Sequence, residues 1–115
     1  MSSDCLFCNI VERSVPATIV HETGSVLAFR DINPQAPTHV LVIPKAHHAD
    51  AASMAASDPA LAGEVLDIAG TVAAADGIDA AGYRLVFNTG KDGQQTVLHA
   101  HCHVLGGRGM EWPPG

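Results

Sequence analysis

Three histidines in five residues, His99-Ala100-His101-Cys102-His103, constrain this chain more than any other stretch of it. Side chains alternate across a β-strand with a period of two, so a strand here puts His99, His101 and His103 on one face and Ala100, Cys102 and Val104 on the other. A helix scatters the same three imidazoles. A strand face seldom accepts three imidazoles in a row unless it lines a site, which leaves catalysis or metal binding. Successive side chains at this spacing sit roughly 6–7 Å apart, too far for all three to meet one ion at ~2 Å, so a three-histidine catalytic metal is disfavoured. Phosphoryl chemistry fits better. A neutral imidazole, with an ordinary pKa near 6.5, is a nucleophile at neutral pH if its other nitrogen is held protonated by an acceptor. Its neighbours can then donate hydrogen bonds to phosphoryl oxygens, or a proton to the leaving group.

The remaining pattern predicts an α+β domain with an antiparallel-dominated sheet. Asp4 to Val11 reads as a short helix with Asp4 as N-cap and Leu6, Phe7 and Ile10 on one face. Thr18–His21 and Val26–Asp31 are β-branched, apolar runs around Glu22-Thr23-Gly24-Ser25, the pattern of a hairpin. Asn33-Pro34-Gln35-Ala36-Pro37 is a rigid loop leading into a third strand, Thr38–Ile43, which Pro44 ends. Between Ala46 and Ala81 the chain is alanine-rich. Asp58 caps a helix with Pro59 at its first position and Leu61, Val65, Ile68 and Val72 along one face, ending at Asp76-Gly77. Gly63 and Gly70 inside it cost about 1 kcal/mol each relative to alanine, so packing must hold it. Tyr83–Asn88 alternates as a fourth strand, and Val97–Leu105 forms a fifth that Gly106-Gly107 stops. The polar loop between them, Gly90-Lys91-Asp92-Gly93-Gln94-Gln95-Thr96, resembles an anion cradle. On the second strand Phe29 and Asp31 share a face, pairing an apolar surface for a base with an acceptor for a ribose diol.

At 115 residues, 47% apolar and 16% charged, the chain is one folded domain, spanning 1–115, and is neither disordered nor membrane-spanning. Six Lys+Arg against twelve Asp+Glu give a net charge of −6, the wrong sign for extended nucleic acid. Met1-Ser2-Ser3-Asp4 lacks the basic and apolar regions of a secretory signal, and an odd cysteine count leaves any disulfide framework incomplete, so a reducing, cytoplasmic setting is expected. Cys5-x-x-Cys8 on a helix fits a redox pair, half of a zinc site or two small buried residues.

His99 to Leu105 matches the His-φ-His-φ-His-φ-φ pattern, with φ apolar, of the histidine-triad family residue for residue. Leu27 through Lys45 and the ending Gly106-Gly107-Arg108 to Trp112-Pro113-Pro114-Gly115 resemble its Hint branch, the nucleoside phosphoramidases. The resemblance implies a homodimer with one continuous sheet, the tail 106–115 lying at its interface. It also implies hydrolysis of the P–N bond of purine nucleoside 5′-phosphoramidates of AMP or GMP type, and of acyl-nucleotide adducts, with no metal needed for the chemistry. His101 is then the nucleophile that forms a nucleotidyl-histidine, and His39 and His99 complete its polar network. His103, Thr96 and Asn88 contact the α-phosphate with backbone N–H groups near Gln94 and Gln95. Asp31 accepts the ribose hydroxyls, and Leu6, Phe7, Ile10, Phe29, Ile32 and Leu41 enclose the base. Trp112 reaches the neighbouring subunit's site. Bacterial triad proteins that resemble this chain in having CxxC imply one structural Zn2+ per chain on Cys5, Cys8, His47 and His99, with His48 as the substitute for His47. The alternatives are a dinucleoside polyphosphate hydrolase of the same family and a nucleotide- or zinc-binding module without turnover.

Overall fold

The computed structural model describes residues 4–115; Met1, Ser2 and Ser3, on which the absence of a secretory signal is read, lie outside them. Strands β1 (Ile19–Glu22), β2 (Val26–Arg30), β3 (Thr38–Pro44), β4 (Tyr83–Phe87) and β5 (Cys102–Gly106) form one sheet in the order β1-β2-β3-β5-β4. Every neighbouring pair is antiparallel. Helices α1 (Leu6–Val11), α2 (Ala51–Ser57) and α3 (Pro59–Ala75) complete the elements of the described residues. This is the expected α+β sheet with one helix more.

The central strand β3 is buried along its whole length because both faces of the sheet are covered. Val26, Ala28, Val40, Val42, Cys102 and Val104 pack against Leu61, Val65, Ile68 and Val72 of α3, the helix face that the 4, 3, 4 spacing selects. Burying each such side chain contributes about 1.5–3 kcal/mol, which offsets the two helix glycines. Leu27, Phe29, Leu41 and Ile43, the alternate residues of β2 and β3, pack instead with Phe7 and Ile10 of α1. Arg30, at the end of β2, pairs with Asp76 at 2.5 and 2.8 Å, and Thr38 donates to the same carboxylate at 2.9 Å. This ties the C-terminus of α3 to the sheet end from which Asp31 emerges.

Four local expectations are corrected. The cap of α1 is Cys5, whose sulfur accepts the Cys8 N–H, rather than Asp4. Helix α2 was not expected from Ala51–Ser57, in which Met54 is the one buried residue; its cap is Asp50, accepting from Ser53 N–H at 2.8 Å. The fifth strand begins at Cys102 and not at Val97, so His99 and His101 precede it. Gly106 belongs to β5, and the chain turns at Gly107, whose φ of +89° suits glycine.

Gly106 has a packing reason for its lack of a side chain. A Cβ there would lie 2.5 Å from Ile78 Cδ1 and 3.1 Å from its Cβ, and Ile78 is itself buried. Gly106→Ala is therefore expected to destabilise the fold by about 1–3 kcal/mol, read as a lower urea midpoint with an unchanged slope.

Candidate active site and metal centre

Residues 97–99 bend beside the segment that follows β3, and the stretch from Gln95 to Ala100 is tied to that segment by hydrogen bonds. Ala100 N–H donates to His48 O at 2.7 Å, and the Gln95 side-chain amide donates to Ala49 O at 2.7 Å and Val97 O at 3.1 Å. The alternation of β5 carries back through His101 and Ala100 to His99 without ladder bonds, as the packing partners of these side chains show. Ala100 and Cys102 thus face α3, while His99 and His101, at 0% and 6% exposure, sit on the α1 side, where Phe7 meets both rings edge-on. Burial pushes the Cys102 thiol up to about 12, so it stays protonated at neutral pH.

Hydrogen bonds fix which nitrogen of each imidazole holds the proton. His101 Nδ1 lies 2.7 Å from His99 O; a carbonyl only accepts, so Nδ1 carries the proton and Nε2 keeps its lone pair. Gln35 N–H donates to His39 Nδ1 at 3.0 Å, which places the proton of neutral His39 on Nε2. That nitrogen faces His103 Nδ1 at 2.8 Å and Asp31 Oδ2 at 3.4 Å. His103 accepts at Nδ1 and is left with Nε2–H as a donor. His101 and His103 stand side by side, ring centroids 5.0 Å apart, one offering a lone pair and the other an N–H.

Burial keeps these rings neutral. It lowers the pKa values of His39 and His101, and it pushes His103 down to about 4, with His101 and His39 adding to the effect. An unfolded chain binds protons at these imidazoles from about pH 6.5 downward, whereas the folded chain resists them. Folding stability is thus expected to hold above about pH 6.5 and to decline as pH falls toward 4, a trend that urea midpoints at several pH values will show.

A cavity of about 250 Å³ opens beside these rings. Ten of the residues singled out from the sequence line it: Leu6, Phe7, Ile10, Phe29, Asp31, Ile32, Leu41, Thr96, His101 and His103. Val15, Pro16, Ala17, Arg30 and Val97 also line it and carry no sequence signal beyond being, for the most part, apolar linker residues. Asn88, Gln94, Gln95 and Trp112 are not among the lining residues. The Asn88 amide donates to Gly93 O at 2.7 Å, and the Gln94 and Gln95 N–H groups donate to Lys91 O and Gly90 O at 3.1 and 3.0 Å. These three bonds hold the loop's own shape. Trp112 is 82% exposed in the single chain.

On the far side of His99, Cys5, Cys8, His47 and His99 bring one ligand atom each within 4.8 Å of one another. His99 Nδ1 is 3.4 and 3.5 Å from the Cys5 and Cys8 sulfurs, and His47 Nδ1 is 3.4 Å from Cys8 Sγ. The S···N edge of a tetrahedral zinc site, from Zn–S near 2.3 Å and Zn–N near 2.0–2.1 Å, is about 3.5 Å. His99 Nε2 donates to Pro44 O at 2.7 Å, which leaves Nδ1 as the ligand atom and supplies the backing acceptor that metal-bound imidazoles use. The donor set fits a structural Zn2+. His48 is outside the cluster and contributes its backbone carbonyl instead. Asp31, His39 and His103 also converge, but the hydrogen bonds above already engage His39 at both nitrogens. Among the described residues no cluster holds all three triad histidines.

The family model described as the HIT domain matches residues 12–110. The chain belongs to the HIT family. It is 46% identical over 115 residues to a 14 kDa zinc-binding protein of Zea mays, covering 98% of this chain and 89% of that one. It is 50% identical to a HIT-like protein of Synechococcus elongatus over 115 residues, the full length of both. The crystal structure of a HIT family hydrolase from Legionella pneumophila superposes with a TM-score of 0.93 at 51% identity, covering 97% of this chain and 100% of that one. The fold is that of HIT hydrolases. No helix among the described residues is long and apolar enough to cross a membrane.

Proposed function

We propose that this HIT protein is a nucleoside phosphoramidase of the Hint branch, acting in the cytoplasm as a homodimer on AMP- or GMP-type phosphoramidates and acyl-nucleotides. The observation that carries the reading is His101. Its Nδ1–H is tied to His99 O, its ring is neutral and its other nitrogen is unprotonated at the wall of an apolar cavity.

In this reading the base lies among Leu6, Phe7, Ile10, Phe29, Ile32 and Leu41, and the ribose hydroxyls donate to Asp31. The His101 Nε2 lone pair forms a bond to phosphorus as the P–N bond breaks. The amine leaves with that electron pair and takes a proton from water. The resulting nucleotidyl-imidazolium keeps its Nδ1–H on His99 O, while His103 Nε2–H and the Thr96 hydroxyl donate to phosphoryl oxygens. Water then attacks phosphorus as the P–Nε2 bond breaks, its proton going to the hydroxide left by the first step, and nucleoside monophosphate and neutral His101 are regenerated. Asn88 and backbone N–H groups near Gln94 and Gln95 assist at the α-phosphate, and Trp112 extends to the partner's site. Zn2+ would be held by Cys5, Cys8, His47 and His99, and with four protein donors it would supply folding stability and not the chemistry.

The test is to trap the intermediate. Acid-quenching the protein in mid-turnover with adenosine 5′-phosphoramidate is expected to give a species heavier by one adenylyl group, on the peptide that contains His101. Turnover with no adduct at any quench time, or an adduct elsewhere, overturns the covalent mechanism.

A further inference from the structure

We propose that the metal centre and the nucleotide cavity are thermodynamically coupled through His99 and helix α1, so that Zn2+ and nucleotide each tighten the binding of the other. In this arrangement His99 is a positioning residue for His101. The inference rests on the nucleotide reading of the cavity given above.

The first connection is His99 itself, which is fully buried. Its Nδ1 faces both cysteine sulfurs and its Nε2–H is held by Pro44 O, so a bound metal fixes the ring from one side and the sheet fixes it from the other. The carbonyl of this same residue accepts the His101 Nδ1–H at 2.7 Å. Whatever pins the His99 side chain therefore also pins the acceptor that orients the nucleophile and sets its tautomer.

The second connection is α1, only six residues long. Isolated helices need roughly 12–15 residues to be even marginal in water, so α1 persists by what holds it to the rest of the protein. Two of its ties are Cys5, its cap, and Cys8, within it; both reach His99, and Cys8 reaches His47 on the segment after β3. Between and beyond the cysteines, Leu6, Phe7 and Ile10 form one wall of the cavity. The ring of Phe7 stands 6.0 Å from that of His99 and 5.0 Å from that of His101. The metal ligands and the base-facing side chains are thus interleaved on a single turn and a half of helix. Without the metal, a nucleotide must order this wall as it binds; with the metal, the wall is already ordered.

Linkage makes the coupling reciprocal, and couplings of this kind are typically about 5- to 150-fold. In the zinc-loaded chain, competition against a chromogenic chelator is expected to show about fivefold or more tighter zinc binding at saturating AMP, with AMP binding followed by calorimetry in the same buffer. A zinc affinity unchanged while AMP binds overturns the coupling and leaves the nucleotide site standing. Failure of AMP to bind the loaded chain overturns the nucleotide reading, and the coupling with it. His47→Ala removes one exposed ligand without altering the cavity lining. With its fold checked by circular dichroism, it is expected to bind AMP more weakly by a similar factor at limiting zinc, and wild-type AMP affinity there overturns the proposal.

Discussion

His101→Ala is expected to reduce amine release from adenosine 5′-phosphoramidate by at least about 10³-fold, with AMP binding retained within an order of magnitude. The asymmetry follows from what the side chain does. In the proposed mechanism only one atom of it, Nε2, enters the chemistry, whereas the cavity proposed for the nucleotide is lined mostly by other residues, from α1, the linker after it, β2, β3 and Thr96. Deleting a nucleophile removes an interaction made on the way to the transition state, so kcat falls and the ground-state affinity largely stays. The measurement is a paired one: a continuous assay for the released amine and calorimetric titration with AMP, for wild type and variant. AMP binding by both proteins with turnover by neither leaves a nucleotide-binding module whose histidines serve recognition, and sinks the hydrolase reading.

The two-faced character of residues 99–104 was legible in the sequence because alternation is a property of the strand that Cys102 begins, and the packing of Ala100 on one side and of His99 and His101 on the other continues it past the end of the ladder. The start of β5 was not legible. Val97 and Leu98 are as strand-like as Val104 and Leu105, and what keeps them out of the sheet is the non-local grip of the segment after β3, through Ala100 N–H on His48 O. Helix α2 escaped notice because a single large apolar residue, Met54, sets no period. Gly90–Thr96 was legible as a polar, glycine-containing loop, but residue type does not tell an N–H aimed at a ligand from one that bonds Gly90 O or Lys91 O. Val15, Pro16 and Ala17 gave no warning that they line the cavity, since an apolar linker looks the same whether it rims a site or covers a core. Cys5 and His99 are 94 positions apart, and their meeting depends on α1 lying across the face of the sheet that also holds Leu27 and Phe29. Only the family resemblance joined them in advance.

Removal of zinc is expected to lower Tm by about 10 °C or more. A metal present at a thousand times its Kd stabilises by about 4 kcal/mol, and each kcal/mol moves the Tm of a domain this size by roughly 3–5 °C. The loss should be uneven. None of the four ligands belongs to the cluster packed under α3, whereas Cys5 packs against the cluster that contains Phe7, Ile10 and Phe29. Hydrogen exchange in the stripped chain is expected to accelerate in α1 and residues 97–101 and to change little in α3. Restoring Zn2+ recovers the Tm of the stripped wild type but not that of a chain carrying Cys5→Ser and Cys8→Ser, because hydroxyls do not replace thiolates as zinc ligands. If chelation leaves Tm unchanged in a protein shown to have held zinc, the cluster is ordinary packing and α1 is held by Phe7 and Ile10 alone. If the loss occurs and is confined to α1 and its neighbours, the metal acts as the fastener of one wall of the cavity, and the nucleophile remains in the chain with its acceptor less firmly placed.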